Sequence, residues 1–359
     1  MRLKSLIILF FSILATTSLF AQIGGTSTYD FLQLPVSSRA AALGGDFIAV
    51  RDGDLSLASE NPSFLDSSVS NHVDISYIPF FAGIKYGYAS FAHTFDSIGR
   101  IKNVGTIALS IKYIDYGSFD YADLGGNEGG TFTAGEYLFQ AGYGRPLLDS
   151  AFSGGANLKF IYSHLYQYYS SGLALDLAGS YVSHNRRFFI GLVIQNIGHQ
   201  IKDYTAGDNE PLPFDVKLAF AKKLAHAPFR FGITAQHLQK WDLTYIDPAD
   251  TQTVNPLTGQ AVTHSSIGGF ADKLMRHLVP NLEVVLGKNF MIRFAYNYEM
   301  RKELELDASR GLVGFSGGFG IKIYKFQINY ALAKYNLAGS SNTFTIGMAL
   351  DEFSRHSKT

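Results

Sequence analysis

The sequence predicts an all-β fold: a transmembrane outer-membrane β-barrel of about 14 antiparallel strands with an N-terminal plug segment. Three observations predict it. From Asn71 onward, runs of large apolar residues alternating with small or polar ones are separated by turn residues. After residue 21 no apolar run is long enough to cross a bilayer as a helix. The chain carries 36 Gly, 29 Phe and 21 Tyr with only 17% charged residues. That balance suits aromatic-rich, lipid-facing strands better than a soluble enzyme.

The first residues set the compartment. Arg2 and Lys4 form a basic n-region, Leu6–Leu14 is an apolar run, and Ala15–Ala21 ends in a small residue. This pattern predicts a cleavable signal peptide over 1–21 and export to the outer membrane. There is no cysteine, which excludes disulfides, thiolate metal sites, a thiol nucleophile and a lipid-modified cysteine. Net charge is formally +0, so the chain has no electrostatic footprint for nucleic acid.

Strands are expected near 72–82, 84–95, 103–116, 133–144, 151–164, 171–182, 187–199, 213–223, 228–239, 277–287, 289–299, 311–322, 324–335 and 341–350, giving a barrel domain of 71–350. Each run sorts its residues by parity. Ile107, Leu109, Ile111 and Tyr113 share a face opposite Thr106, Ala108, Ser110 and Lys112. Phe229, Phe231 and Ile233 oppose Arg230, Gly232 and Thr234, and Phe290, Ile292 and Phe294 oppose Arg293. The large apolar face belongs outward, in lipid. The other face, rich in Gly and Ala, suits a crowded interior, and its charges (Lys159, Asp176, Arg230, Arg293) are expected to line a wet lumen, solvated and paired with one another. Tyr113, Tyr116, Tyr162, Tyr166, Tyr168, Tyr169, Tyr296 and Tyr298 are placed as interfacial girdles.

Connections after even-numbered strands are short. After odd-numbered strands, from the third on, they are mostly longer: 117–132, 165–170, 200–212, 240–276, 300–310 and 336–340. Short periplasmic turns and long extracellular loops are the pattern of outer-membrane barrels. The longest loop, Lys240–Arg276, holds the single Trp. Trp241, Tyr245, Pro248 and Pro256 are therefore the candidate partner-docking residues, since long ordered loops usually carry function. A polar tail, 351–359, follows the last strand.

Residues 22–70 do not alternate and are assigned as the plug segment. Within them, Ser37 or Ser38 can cap a short helix over Arg39–Leu43 that stops at Gly44-Gly45. A second helical turn is expected over Asp54–Ser59, and Asn61-Pro62 favours a turn. A barrel of this girth cannot be filled by small inward side chains alone. Phe31, Pro35, Arg39, Leu43, Asn61 and Pro62 are the candidate plug residues.

The stretch YDFLQLPVSSRAAALGG (29–45), followed by Ala49-Val50 and Asn61-Pro62, resembles the N-terminal signature of the PorV/PorQ family, with Phe31–Ser37 nearest its PorQ branch. That family consists of outer-membrane barrels similar to the FadL fatty-acid transporters. The resemblance implies a FadL-like fold with the N-terminal segment inside the barrel. It also implies a role in the attachment complex of the type IX secretion system, beside PorU, PorV and PorZ, where cargo is joined to anionic lipopolysaccharide at the outer-membrane lipid. A FadL-like transporter of hydrophobic molecules is the alternative.

No catalytic, metal or cofactor motif accompanies these features. Gly314-Phe315-Ser316-Gly317-Gly318 matches a nucleophile-elbow string, but the residues after it continue as strand rather than helix. No HExxH, P-loop or dinucleotide fingerprint occurs. The expected protein is a non-enzyme.

Overall fold

The computed structural model describes residues 27–98, 101–122, 125, 128–147, 150–244, 266–287, 289–304, 312–336 and 339–351. The expected signal peptide and the tail beyond Asp351 lie outside the described residues.

The strands are β1 (His72–Pro79), β2 (Lys85–Ile98), β3 (Ile101–Ala122), β4 (Glu128–Leu147), β5 (Phe152–Leu165), β6 (Tyr168–Val182) and β7 (Phe188–Lys202). They continue as β8 (Asp215–Lys223), β9 (Phe229–Ala235), β10 (Leu278–Leu286), β11 (Phe290–Tyr296), β12 (Phe315–Ile323), β13 (Phe326–Asn336) and β14 (Gly339–Ala349). Each pairs antiparallel with the next, and β1 closes on β14 with Ile75 opposite Ile346. Closure leaves no free edge.

Parity sorts the two faces as the sequence requires. Leu109, Leu158, Leu177, Phe231 and Phe294 are 44–60% exposed on the outside, while Ala108, Lys159, Asp176, Arg230 and Arg293 inside are at most 8% exposed. A closed sheet with an apolar, aromatic exterior is the form of a membrane-spanning barrel.

Three local departures from the sequence expectation have physical causes. β3 and β4 run on through 117–122 and 128–132, where the sequence predicts a loop. Gly117, at φ +87°, makes a bulge there instead of a turn, and Phe119 stacks on Phe132 at 5.3 Å. The strand expected to reach 299 stops at Tyr296, because Asn297 accepts from Met300 N (3.1 Å) and caps a short helix. Tyr298 is therefore helical, and Tyr116 points inward, donating to Glu136 Oε2 at 2.6 Å, so neither belongs to an outer girdle. Finally, the loop 240–276 contains a helix of twelve residues, Ser266–His277.

The N-terminal segment threads the barrel lengthwise. Thr28 N donates to Pro211 O between β7 and β8, at the end that carries the long loops. At the short-turn end, Arg51 donates to Ser150 O (2.6 Å) and Ser153, and Ser70-Asn71 leads into β1. Between these points most residues are buried.

If the outer face lies in lipid, Leu158→Arg, near mid-strand, should destabilise the inserted barrel by about 2–4 kcal/mol. Lys159 next to it, on the inner face, marks the contrast. Urea unfolding in phospholipid vesicles checks this, and an unchanged midpoint would place Leu158 in water.

Candidate functional site

The inserted segment is held by local turns that the sequence dictates. Helix α1 (Ser38–Ala42) is capped by Ser37, whose hydroxyl accepts from Ala40 N at 3.2 Å. Gly44, at φ +97°, ends it, and Gly45 N returns to Ala40 O at 2.9 Å. Ser38 is not the cap. Its hydroxyl donates to Thr343 O (2.9 Å) and Asn329 O (3.1 Å), fixing α1 to β13 and β14. The turn expected over Asp54–Ser59 is a 3-10 helix, Leu55–Ser59, capped by Asp54. Asn61 caps the next, Pro62–Phe64, and donates from Nδ2 to Ile48 O at 2.8 Å.

All six candidate plug residues sit inside the barrel: Phe31, Pro35, Arg39, Leu43, Asn61 and Pro62 are each buried. Small inward residues admit them. A Cβ on Gly155 would strike the Pro62 backbone, and one on Gly191 would strike Ile48 O. Wall side chains satisfy the segment's carbonyls. Lys112 Nζ donates to Leu32 O (3.0 Å) and Leu34 O (2.8 Å), Asn157 to Ser59 O (3.1 Å) and Gln195 to Glu60 O (3.1 Å).

The centre of the site is an ion cluster, buried except toward Asp52. Glu283 on β10 lies directly across from Arg230 on β9 and Arg293 on β11. Arg230 Nη1 reaches Glu283 Oε2 at 2.6 Å and Arg293 Nε reaches Oε1 at 3.1 Å. Arg39 adds a third guanidinium to Glu283 at 3.1 Å. Arg39 also pairs with Asp52 (2.7 Å) and Asp54 (3.1 Å), and Arg230 with Asp52 (3.0 Å). The wall triad thus has one positive charge in excess and the segment's triad one negative.

The expectation of a wet lumen is corrected here. Arg230 and Arg293 are buried against the inserted segment, and Lys159 and Asp176 pair with each other at 2.7 Å with side chains at most 5% exposed. The segment displaces the solvent that those charges were expected to contact. Sequence reasoning found Arg39, Arg230 and Arg293 but missed Glu283, Asp52, Asp54 and the Lys217–Asp46 pair. The run Arg51-Asp52-Gly53-Asp54, the densest charge in an otherwise apolar segment, was the available signal.

The second feature is at the long-loop end. Helix α2 (Ser266–His277) packs against α3 (Tyr298–Glu303), with Tyr298 Oη donating to Asp272 at 2.7 Å. Trp241 rests on Phe270 (5.4 Å) and stacks on His277 (5.5 Å). Trp241 is 50% exposed and Phe270 58%, with Leu274 and Met275 beside them on α2. Of the docking candidates, Trp241 is on this platform; Tyr245, Pro248 and Pro256 lie outside the described residues. Ser316, the nucleophile-elbow serine, lies in β12 and donates inward to Ala42 O at 3.2 Å.

No protein-family model matches the chain, and no curated protein does. Among solved structures, it is similar to a FadL homologue of Pseudomonas aeruginosa (9% identity, TM-score 0.42, covering 87% of this chain and 97% of that one). It is also similar to the outer-membrane protein Omp33 of Acinetobacter baumannii (7%, TM-score 0.37, 77% and 96%). A third is the outer-membrane phospholipase of Salmonella typhi, a dimer with bound calcium (7%, TM-score 0.29, 78% and 90%). At these scores the likeness is to the barrel form only, and the fold assignment rests on the strand ladder and its apolar exterior.

Beneath the platform, His237 Nδ1 lies 3.2 Å from Asp215 and Nε2 lies 3.5 Å from Glu299, with Gln236, Lys217 and Glu303 alongside. Burial opposes charge on His237, but the hydrogen bond and charge of Asp215 prevail and raise its pKa to about 9. Burial pushes Glu299 up to about 7 despite His237. Both groups bind their proton more tightly folded than unfolded, so their support is complete below the unfolded values and is lost as pH rises, through about 7 for Glu299 and about 9 for His237. Proteolysis between residues 236 and 277, corrected for the protease's own pH profile, should therefore quicken from about pH 6 to about pH 9.5. A pH-independent rate would show that this cluster does not hold the loop.

Proposed function

We propose that this chain is a non-enzymatic outer-membrane scaffold: a barrel sealed by its own N-terminal segment, whose long-loop face docks a protein at the cell surface. One observation carries the reading: the lumen is occupied along its length and locked by a charge-matched ion cluster. What remains for function is then the surface, and the exposed aromatic platform around Trp241 is its most partner-like part, since exposed Trp and Phe are typical anchors of interfaces.

The finer reading draws on the motif at Tyr29–Leu65. Its resemblance to the PorV/PorQ family supports assignment as a PorQ-like component of the type IX secretion attachment complex. In that role the barrel anchors PorZ, with PorU and PorV, where cargo is processed and joined to anionic lipopolysaccharide. A FadL-like transporter of hydrophobic molecules needs a continuous apolar path. Here the apolar cluster of Phe31, Leu32 and Leu138 and that of Leu43, Phe47 and Phe189 are occupied by the segment itself, with the ion cluster nearby in the same lumen.

Pull-down of the tagged protein from outer membranes, with bound proteins identified, tests the scaffold. The double substitution Trp241→Ser, Phe270→Ser should leave the barrel inserted and heat-modifiable on gels but release its surface partner. Retention equal to wild type would move the docking site elsewhere.

A further inference from the structure

The outer wall of β11–β13 carries a groove of about 1020 Å³ that the luminal site does not explain. Its position follows from one residue. On β12 the outward parity runs Phe315, Gly317, Phe319, so the row of large side chains has a gap at Gly317. Gly317 lies in register with Phe294 on β11 and Leu332 on β13, both large, outward and exposed. Phe294, Phe315, Phe319 and Leu332 thus stand around a notch floored by glycine. The backbone there does not require glycine: Gly317 has no positive φ, and a Cβ would meet Arg293 O and Phe294 at an ordinary 3.4–3.5 Å.

The groove is apolar along its length and cationic at one end. Outward parity on β13 continues from Leu332 to Lys334, toward the long-loop end, and Lys334 and Ser340 close the groove there. Lys334 makes no hydrogen bond or ion pair among the described residues. A lysine on the outer face of a barrel belongs where the hydrocarbon gives way to headgroups, and its charge there favours an anionic group.

We propose that this groove binds one phosphate-bearing anionic lipid of the outer leaflet, an acyl chain lying over Gly317 and the phosphate on Lys334. The occupant follows from the chemistry of the two ends: an apolar slot the width of one missing side chain, continuous with a cation, two residues further along the same face, that has no partner among the described residues. Contact is non-covalent. The inference rests on the membrane placement proposed above, but not on docking of a surface protein. The pull-down and the lipid measurement can therefore fail separately.

Native mass spectrometry of the full chain in detergent micelles, with phosphatidylglycerol or phosphatidylcholine of identical acyl chains added, tests it. The wild-type protein should retain one phosphatidylglycerol about fivefold more strongly than phosphatidylcholine, the effect of a single lysine on an anionic headgroup. Lys334→Gln, at a half-buried position on the outer face, should abolish that preference. Gly317→Leu, which fills the notch without backbone strain, should reduce retention of both lipids, and heat-modifiability on gels confirms that each variant is folded. Equal retention of the two lipids by the wild-type protein, or variants that retain lipid as the wild type does, would overturn the proposal.

Discussion

The structure depends on how one carboxylate, Glu283, is surrounded. Two guanidiniums face it from the neighbouring strands and a third comes from the inserted segment. A buried carboxylate with only two arginines would leave the wall with an unmatched positive charge. Arg39, Asp52 and Asp54 arrive together and supply the missing negative charge, so wall and segment neutralise each other. Buried pairs of this kind are weak evidence for net stability against an apolar alternative, but removing one partner typically costs about 3–5 kcal/mol. The cluster therefore specifies where the segment sits more than it adds to overall stability.

Packing and hydrogen bonding follow from that placement. Glycines on the inward face let the Ile48 and Pro62 backbones lie against the wall. The segment makes few regular hydrogen bonds of its own beyond its short turns, and a non-regular backbone in a barrel must be satisfied by side chains. Lys112, Asn157 and Gln195 do this from three strands. A sheet whose interior must bond an irregular chain needs polar inward residues. This is why these barrel strands carry buried Lys, Asn and Gln beside their Gly and Ala.

The barrel was legible in the sequence because alternation at period two is a direct signal of which side of a sheet a residue faces. Leu158 and Lys159 declare opposite faces without any tertiary information. The helical turns of the segment were legible for a similar local reason: Ser37 or Ser38 offers a cap before Arg39–Leu43, and Asn61-Pro62 marks a turn after Asp54–Ser59, although the capping roles of Asp54 and Asn61 emerge only in the structure. The partnership of Arg39 with Glu283 was not, because Glu283 lies 244 positions away, and only the register of β9, β10 and β11 brings it to the same level as Arg230 and Arg293. The helix α2 was hidden by Gly268-Gly269, which weaken helical propensity, and α3 by a strand-like alternation that continues past the Asn297 cap. In the same way, a missing side chain at Gly317 leaves no mark in composition, and becomes a groove only when its neighbours are placed in register.

On this structure the charge-locked segment closes the lumen. Single-channel recording in planar bilayers tests it most directly, comparing the full barrel with one lacking Phe31–Gly45, which removes α1 and Arg39 together. The wild-type barrel should be silent, and the deletion should give stable conductance steps. A deletion that inserts and remains silent, or a wild-type barrel that conducts at the same level, would contradict it.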